Sequence, residues 1–167
     1  MEEVTGQGAT KGREESLQTY VRDHIAGAQH AVQLFEELRD LHVGTPLGAT
    51  ASDLLNQVEQ DLAALKRVAS GLGVEQAHLK EFAGWLGDKL SLLKLAPLDH
   101  PFNTFEALEF LSLGVLGKRA LWRTLMSVGA KDPELASVDL SALIQRAEAQ
   151  YATLEKARLD AAAVAFG

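Results

Sequence analysis

A chain of 167 residues, 47% hydrophobic and 23% charged, has the size and balance of one globular domain and can bury a core without covalent staples. It contains no cysteine, which excludes disulfides, thiolate zinc sites and thiol catalysis. With 16 basic and 23 acidic residues the net charge is −7, which argues against a nucleic-acid surface, and no 18-residue apolar stretch is present to span a membrane.

Residues 1–15, MEEVTGQGATKGREE, are polar and glycine-bearing and read as a flexible tail ahead of a single domain at 16–167. They lack an apolar signal segment, so a cytoplasmic location is expected. The first helix is predicted from Ser16 to Leu41, with Leu17, Val21, Ala28, Ala31, Phe35 and Leu38 on one stripe and His24 on the same line. Gly44, Pro46 and Gly48 interrupt the chain, and Thr50 with Asp53 offers a cap for a second helix. That helix carries Leu55, Val58, Leu62, Leu65, Ala69 and Leu72 on one face, and Gly71 and Gly73 end it.

A third helix is predicted over Val74 to Leu95, with Gly84 and Gly87 weakening its middle. Beyond Pro97 and Pro101, Asn103 and Glu106 open a fourth helix that ends near Met126. Its first half, FEALEFLSLGVLG, is apolar nearly all round and is expected to be buried on several sides, with Ser112, Gly114 and Gly117 admitting a close neighbour. Asp139 caps a fifth helix reaching towards Phe166. No stretch alternates as a half-buried strand does. The fold class is all-α: two helical hairpins, one–two and four–five, joined by a long crossover containing an additional helix.

The segments YVRDHIAGAQHAVQLFEEL, LGVEQAHLKEFAGWLGDKLSLLKL, EFLSLGVLGKRALWRTL and DLSALIQRAEAQYATLEKARLDAA resemble the ferritin-like superfamily, more narrowly small bacterial bundle proteins related to ferritin-like stress proteins. The resemblance implies a four-helix bundle. It also sets a test, because di-iron members supply one Glu from each of two helices and a Glu-x-x-His pair from each of the other two. Only Glu75 and His78 have that spacing, and they open the crossover helix. Glu59 is followed by Leu62, Glu148 by Tyr151 and Glu155 by Arg158, and Ala28 stands about where metal-binding relatives place Glu. The ligand set is not carried over, and no cofactor is expected.

Several polar residues remain candidates. His24 on the core line reads as a metal ligand or acid–base group, or more simply as a hydrogen-bonded core-edge histidine. Glu109, among Phe105, Leu108, Phe110 and Leu111, reads as a carboxylate in a buried or half-buried ion pair with Arg158 across the last hairpin, with Lys118 or Arg119 near Glu148. The alternative makes Glu109 a surviving ligand with His24, Glu59 and Asp61. Glu75 and His78 read as a helix-start charge and an exposed imidazole. Trp122 reads as core and Trp85 as an interface residue.

No phosphate loop, dinucleotide glycine pattern, nucleophile elbow or zinc-protease motif occurs, so no enzyme class is indicated. The expected function is a non-catalytic binding or assembly module, as a homodimer. An atypical iron- or manganese-binding oxidoreductase or storage protein is the alternative. A carrier of a small apolar ligand is the third reading, motivated by the small inward residues Ala28, Ala31, Ser112 and Ala147.

Overall fold

A computed structural model describes residues 3–74, 98–129, 135 and 137–167 of the chain. Among them are four helices and no strand: α1 (Glu3–Leu41), α2 (Pro46–Gly71), α3 (Pro101–Val128) and α4 (Leu140–Phe166). The last two are the fourth and fifth helices predicted from the sequence. The predicted third helix, with Trp85, Glu75 and His78, lies outside the described residues.

Three helix starts differ from expectation. α1 begins at Glu3, inside the segment read as a tail. Once a packed segment has nucleated a helix, each added residue contributes one hydrogen bond, so good helix formers such as Lys11, Arg13, Glu14 and Glu15 extend it. α2 is capped by Thr45, not Thr50: its Oγ1 accepts from the Gly48 N–H at 3.2 Å, and Pro46 occupies the first turn. α3 starts at Pro101, with the His100 ring accepting from the Phe102 N–H, two residues before Asn103. In both helices the proline read as a breaker is the first-turn residue, where its missing N–H costs nothing. Asp139 caps α4 as expected, accepting from the Ala142 N–H at 2.9 Å.

The core shows how the helices run. At one end, Val21 and Ile25 of α1 pack with Leu65, Val68 and Leu72 near the end of α2. Leu121, Trp122 and Leu125 of α3 and Leu140 and Leu143 of α4 complete that cluster. At the other end, Leu34, Phe35 and Leu38 meet Leu54, Leu55 and Val58, with Ala107, Leu108 and Leu111 of α3 and Leu154 of α4. Hence α1 and α2 form one antiparallel hairpin and α3 and α4 another, while α2 and α3 run in the same direction. Gly71 and Pro101 therefore lie at opposite ends of the bundle. The Gln18 side-chain amide donating to the Leu72 carbonyl at 2.7 Å, and Thr104 facing His42 at 3.4 Å, tie down the two ends.

Contact is extensive within each hairpin and sparser between them. α3 is not covered on several sides. Leu113 is 63% exposed, and Phe102, Met126 and Val128 also reach solvent. The predominantly apolar helix has one open face because α4 packs heavily against only part of its circumference and α1 adds a sparser contact.

The α1–α2 turn depends on two glycines. Gly44 has φ +78, a left-handed conformation that a side chain resists. A Cβ added at Gly48 would overlap the His42 carbonyl, whereas one at Gly27, in mid-helix, would meet nothing within 4 Å. Gly48→Ala is therefore expected to destabilise the protein by about 1–3 kcal/mol, and Gly27→Ala to stabilise it by about 0.5–1 kcal/mol. Urea denaturation of both variants checks the opposite signs.

Candidate functional site

The polar centre of the bundle is Asp61, whose residue is only 2% exposed. It sits on the inner face of α2 between Val58 and Leu65, one turn from each, among side chains with no capacity to solvate a charge. Three groups from the other hairpin meet it. Lys118 of α3 donates to Oδ2 at 2.5 Å, Gln150 of α4 donates its side-chain N–H to the same oxygen at 3.1 Å, and Arg146 of α4 pairs with Oδ1. Lys118 also donates to the Gln150 amide oxygen, and the Gln150 amide reaches Gln57 at 3.2 Å. The cluster thus joins α2, α3 and α4 through one carboxylate and carries two positive charges against one negative.

Burial dominates the chemistry of Lys118. Desolvation pushes its ammonium below the ordinary lysine range against the opposing pull of Asp61, and Arg146 pushes it further down. Arg146 is the more solvated cation, about one third exposed.

Beside this cluster the bundle is not filled. A cavity of about 230 Å³ lies between α1, α2 and α3. Ala28, Ala31 and Phe35 of α1, Val58, Leu62 and Leu65 of α2, and Leu111, Val115 and Leu121 of α3 form an apolar wall. Asp61, Lys118, His24 and Trp122 are its polar members. Gly27 and Gly114, both solvent-exposed, and Asp23 lie at the rim. The cavity exists because small residues face one another across the hairpins. Gly114 and Gly117, expected to admit a close neighbouring helix, face open space instead: a Cβ at either would meet nothing within 4 Å. The facing positions of α1 are Gly27, Ala28 and Ala31, which are too short to fill the gap.

Trp122 is fully buried, as expected for a core residue, and its indole N–H has no hydrogen-bond partner among the described residues. His24 is half-buried against the Tyr20 ring, with centroids 4.7 Å apart. Burial lowers its proton affinity, partly opposed by Asp23.

The four residues considered as a metal set do not come together. Glu59 is exposed; two positions before Asp61 on a helix, it faces nearly the opposite way. Glu109 is 52% exposed and not buried, because it lies on the open side of α3. It meets Arg158 at 3.4 Å, the expected partner, while Arg158 makes a closer two-pronged contact with Glu155 at 2.7 and 2.9 Å. Arg119 is the residue that approaches Glu148, at 3.9 Å, since Lys118 turns inward to Asp61. His24 and Asp61 share the cavity wall, but Asp61 is already held by two cations. Among the described residues no group of three or more histidines and carboxylates is placed to hold a metal ion. The donor set does not fit the two-metal centre of the di-iron bundles. Of the small residues noted in the sequence, Ala28 and Ala31 line the cavity. Ser112 and Ala147 are packed in the core, the Ser112 hydroxyl donating to the Leu108 carbonyl at 2.8 Å.

Lys118, Gln150 and Arg146 were not legible as a cluster from the sequence. The one available signal was Asp61 itself, a carboxylate in phase with Val58, Leu62 and Leu65, which requires inward cations from elsewhere in the chain.

Asp61→Asn is expected to destabilise the protein by about 3–5 kcal/mol by leaving Lys118 buried opposite a neutral amide, and pairing it with Lys118→Met to recover most of that loss in urea denaturation. Burial also lowers the proton affinity of His24, His30 and His42 from the ordinary value of 6.5. The unfolded chain then binds more protons below pH 6.5, so stability falls as pH drops through that value. Denaturation at pH 7.5 and 5.5 should show the loss, with His24→Gln reducing its slope. Comparison of this chain with protein-family models, with curated proteins and with solved structures finds no match.

Proposed function

We propose that the chain is a ferritin-like bundle without oxidation chemistry, acting as a binding module whose interior cavity takes one small, largely apolar molecule. The observation that carries this reading is the cavity of about 230 Å³ between the hairpins. Protein interiors are ordinarily packed as densely as organic crystals, whereas this apolar space, open to solvent at one side, leaves its lining without protein packing partners. A ligand that fills it supplies those partners and removes its own apolar surface from water. An apolar cavity of about 150 Å³ in another helical protein holds benzene, so scaling by volume gives a guest of about nine or ten heavy atoms. The exposed glycines Gly27 and Gly114 leave an entrance between α1 and α3.

The ferritin-like frame is supported by the run of the helices, with two hairpins whose connection starts and ends at opposite ends of the bundle. The metal-binding alternative, a site of His24, Glu59, Asp61 and Glu109 for iron or manganese, has the arrangement of those residues against it. No helix among the described residues is long and apolar enough to cross a membrane.

A neutral probe such as indole is expected to raise the Tm of the wild-type protein by about 5–10 °C at a hundredfold excess over Kd, from the mass-action stabilisation of about 2.7 kcal/mol. Ala31→Leu, which fills the cavity from α1, should abolish the shift. Absence of any shift with indole or smaller aromatics in the wild type would refute the reading. Elemental analysis of protein expressed with iron and manganese tests the alternative, for which a near-stoichiometric metal is the required result.

A further inference from the structure

We propose that the ligand of the cavity is a monoanionic amphiphile, a small carboxylic acid whose carboxylate docks at Lys118 and whose hydrocarbon body lies between α1, α2 and α3. This rests on the cavity being a binding site and adds the chemical class of its occupant.

Three observations converge on it. The first is the donor count. A lysine ammonium has three N–H donors, and Lys118 uses two, on Asp61 Oδ2 and on the Gln150 amide oxygen. Lys118 itself lines the cavity. The second is Trp122, another cavity residue, whose buried indole N–H has no partner among the described residues. Indole nitrogen can only donate, so both unspent groups beside the cavity call for an acceptor. The third is charge. Lys118 and Arg146 share the single carboxylate of Asp61, so the cluster as a whole carries one net positive charge, with Lys118 on the cavity side and Arg146 on the solvated side. Glu148 is engaged with Arg119, and Asp23, at the rim, lies beside Arg22 at 3.9 Å.

One negative charge on the guest balances that excess. A dianion such as a phosphate monoester would leave a buried charge unanswered, and an amine would add a third cation. A neutral alcohol could accept from one donor but would leave the charge uncompensated. A carboxylate offers two oxygens and one charge, and charge-assisted hydrogen bonds are the stronger ones. The remainder of the wall, from Ala28 and Ala31 to Leu62, Leu65 and Val115, suits an unbranched chain or a single ring. Octanoate, with a chain of this scale, is the natural probe.

The experiment is isothermal titration of the full chain at pH 7 with octanoate, 1-octanol and octylamine. Octanoate is expected to bind at least tenfold more tightly than octanol, with octylamine weakest. Lys118→Met should bring octanoate to or below octanol while Ala31→Leu weakens both. Because the lysine variant could unfold, carboxyl-labelled octanoate is also titrated by NMR on the wild-type protein. The bound carboxyl should remain ionised to a lower pH than the free acid. If octanol binds as tightly as octanoate, or the bound carboxyl ionises no more readily than the free acid, the inference fails and the cavity reading survives. If none of the three probes binds while indole still raises the Tm, the inference alone fails; if indole also has no effect, both fail.

Discussion

A carboxylate placed in the middle of a helical bundle imposes a constraint that the rest of this structure satisfies. Asp61 is nearly inaccessible to water, so its charge must be answered inside the protein, and the answer comes from α3 and α4 together. Truncating one member of such a buried set strands the others in a low-dielectric interior. The apolar faces of these helices are dominated by Ala, Leu and Val, which pack acceptably in more than one register. Sliding α2 by one turn against the second hairpin would separate Asp61 from Lys118, Arg146 and Gln150. The polar cluster therefore fixes the relation between hairpins that apolar contacts alone specify weakly.

Asp61 and Lys118 of this cluster also line the cavity, so the structural role and the proposed binding role meet at Lys118. The lysine is held by Asp61 and Gln150 in one place, which removes the rotamer freedom that a flexible cation would lose on meeting a ligand. The apolar part has a different origin. Gly27, Ala28 and Ala31 on α1 face Gly114 and Gly117 on α3, and two small-residue surfaces held apart by the larger side chains around them leave a void. Small residues on facing helices bring backbones together only when nothing larger props the helices apart. Here Phe35, Leu111, Leu121 and Trp122 do so.

Much of the fold could be read from the chain before its structure. The four described helices, the pairing into hairpins, the Asp139 cap, the burial of Trp122 and the Glu109–Arg158 approach all follow from periodicity, turn residues and reflection through a short loop. Helix starts were less legible. Pro46 and Pro101 are equally compatible with a break and with a first turn, and Thr45 and His100 decide between these through local geometry. The candidate site was legible only in fragments. Asp61 and His24 stand out as polar residues on apolar stripes, but a stripe does not say what faces it. Lys118 and Arg119 are adjacent and of one charge, so the chain alone could not assign the inward role to the first and the outward role to the second.

By itself the sequence determined the all-α class and which residue types and ligand spacings are missing. Helical periodicity is a local property, and the absence of cysteine and of Glu-x-x-His pairs in α2 and α4 is a matter of composition and spacing. Only the tertiary structure decided which inward polar groups meet and where the core is left unfilled. Both depend on the separation and rotation of helices from different hairpins. Those quantities come from the balance of many weak contacts across the bundle, with side chains far apart in the chain, such as Asp61, Lys118 and Gln150, brought within hydrogen-bonding distance.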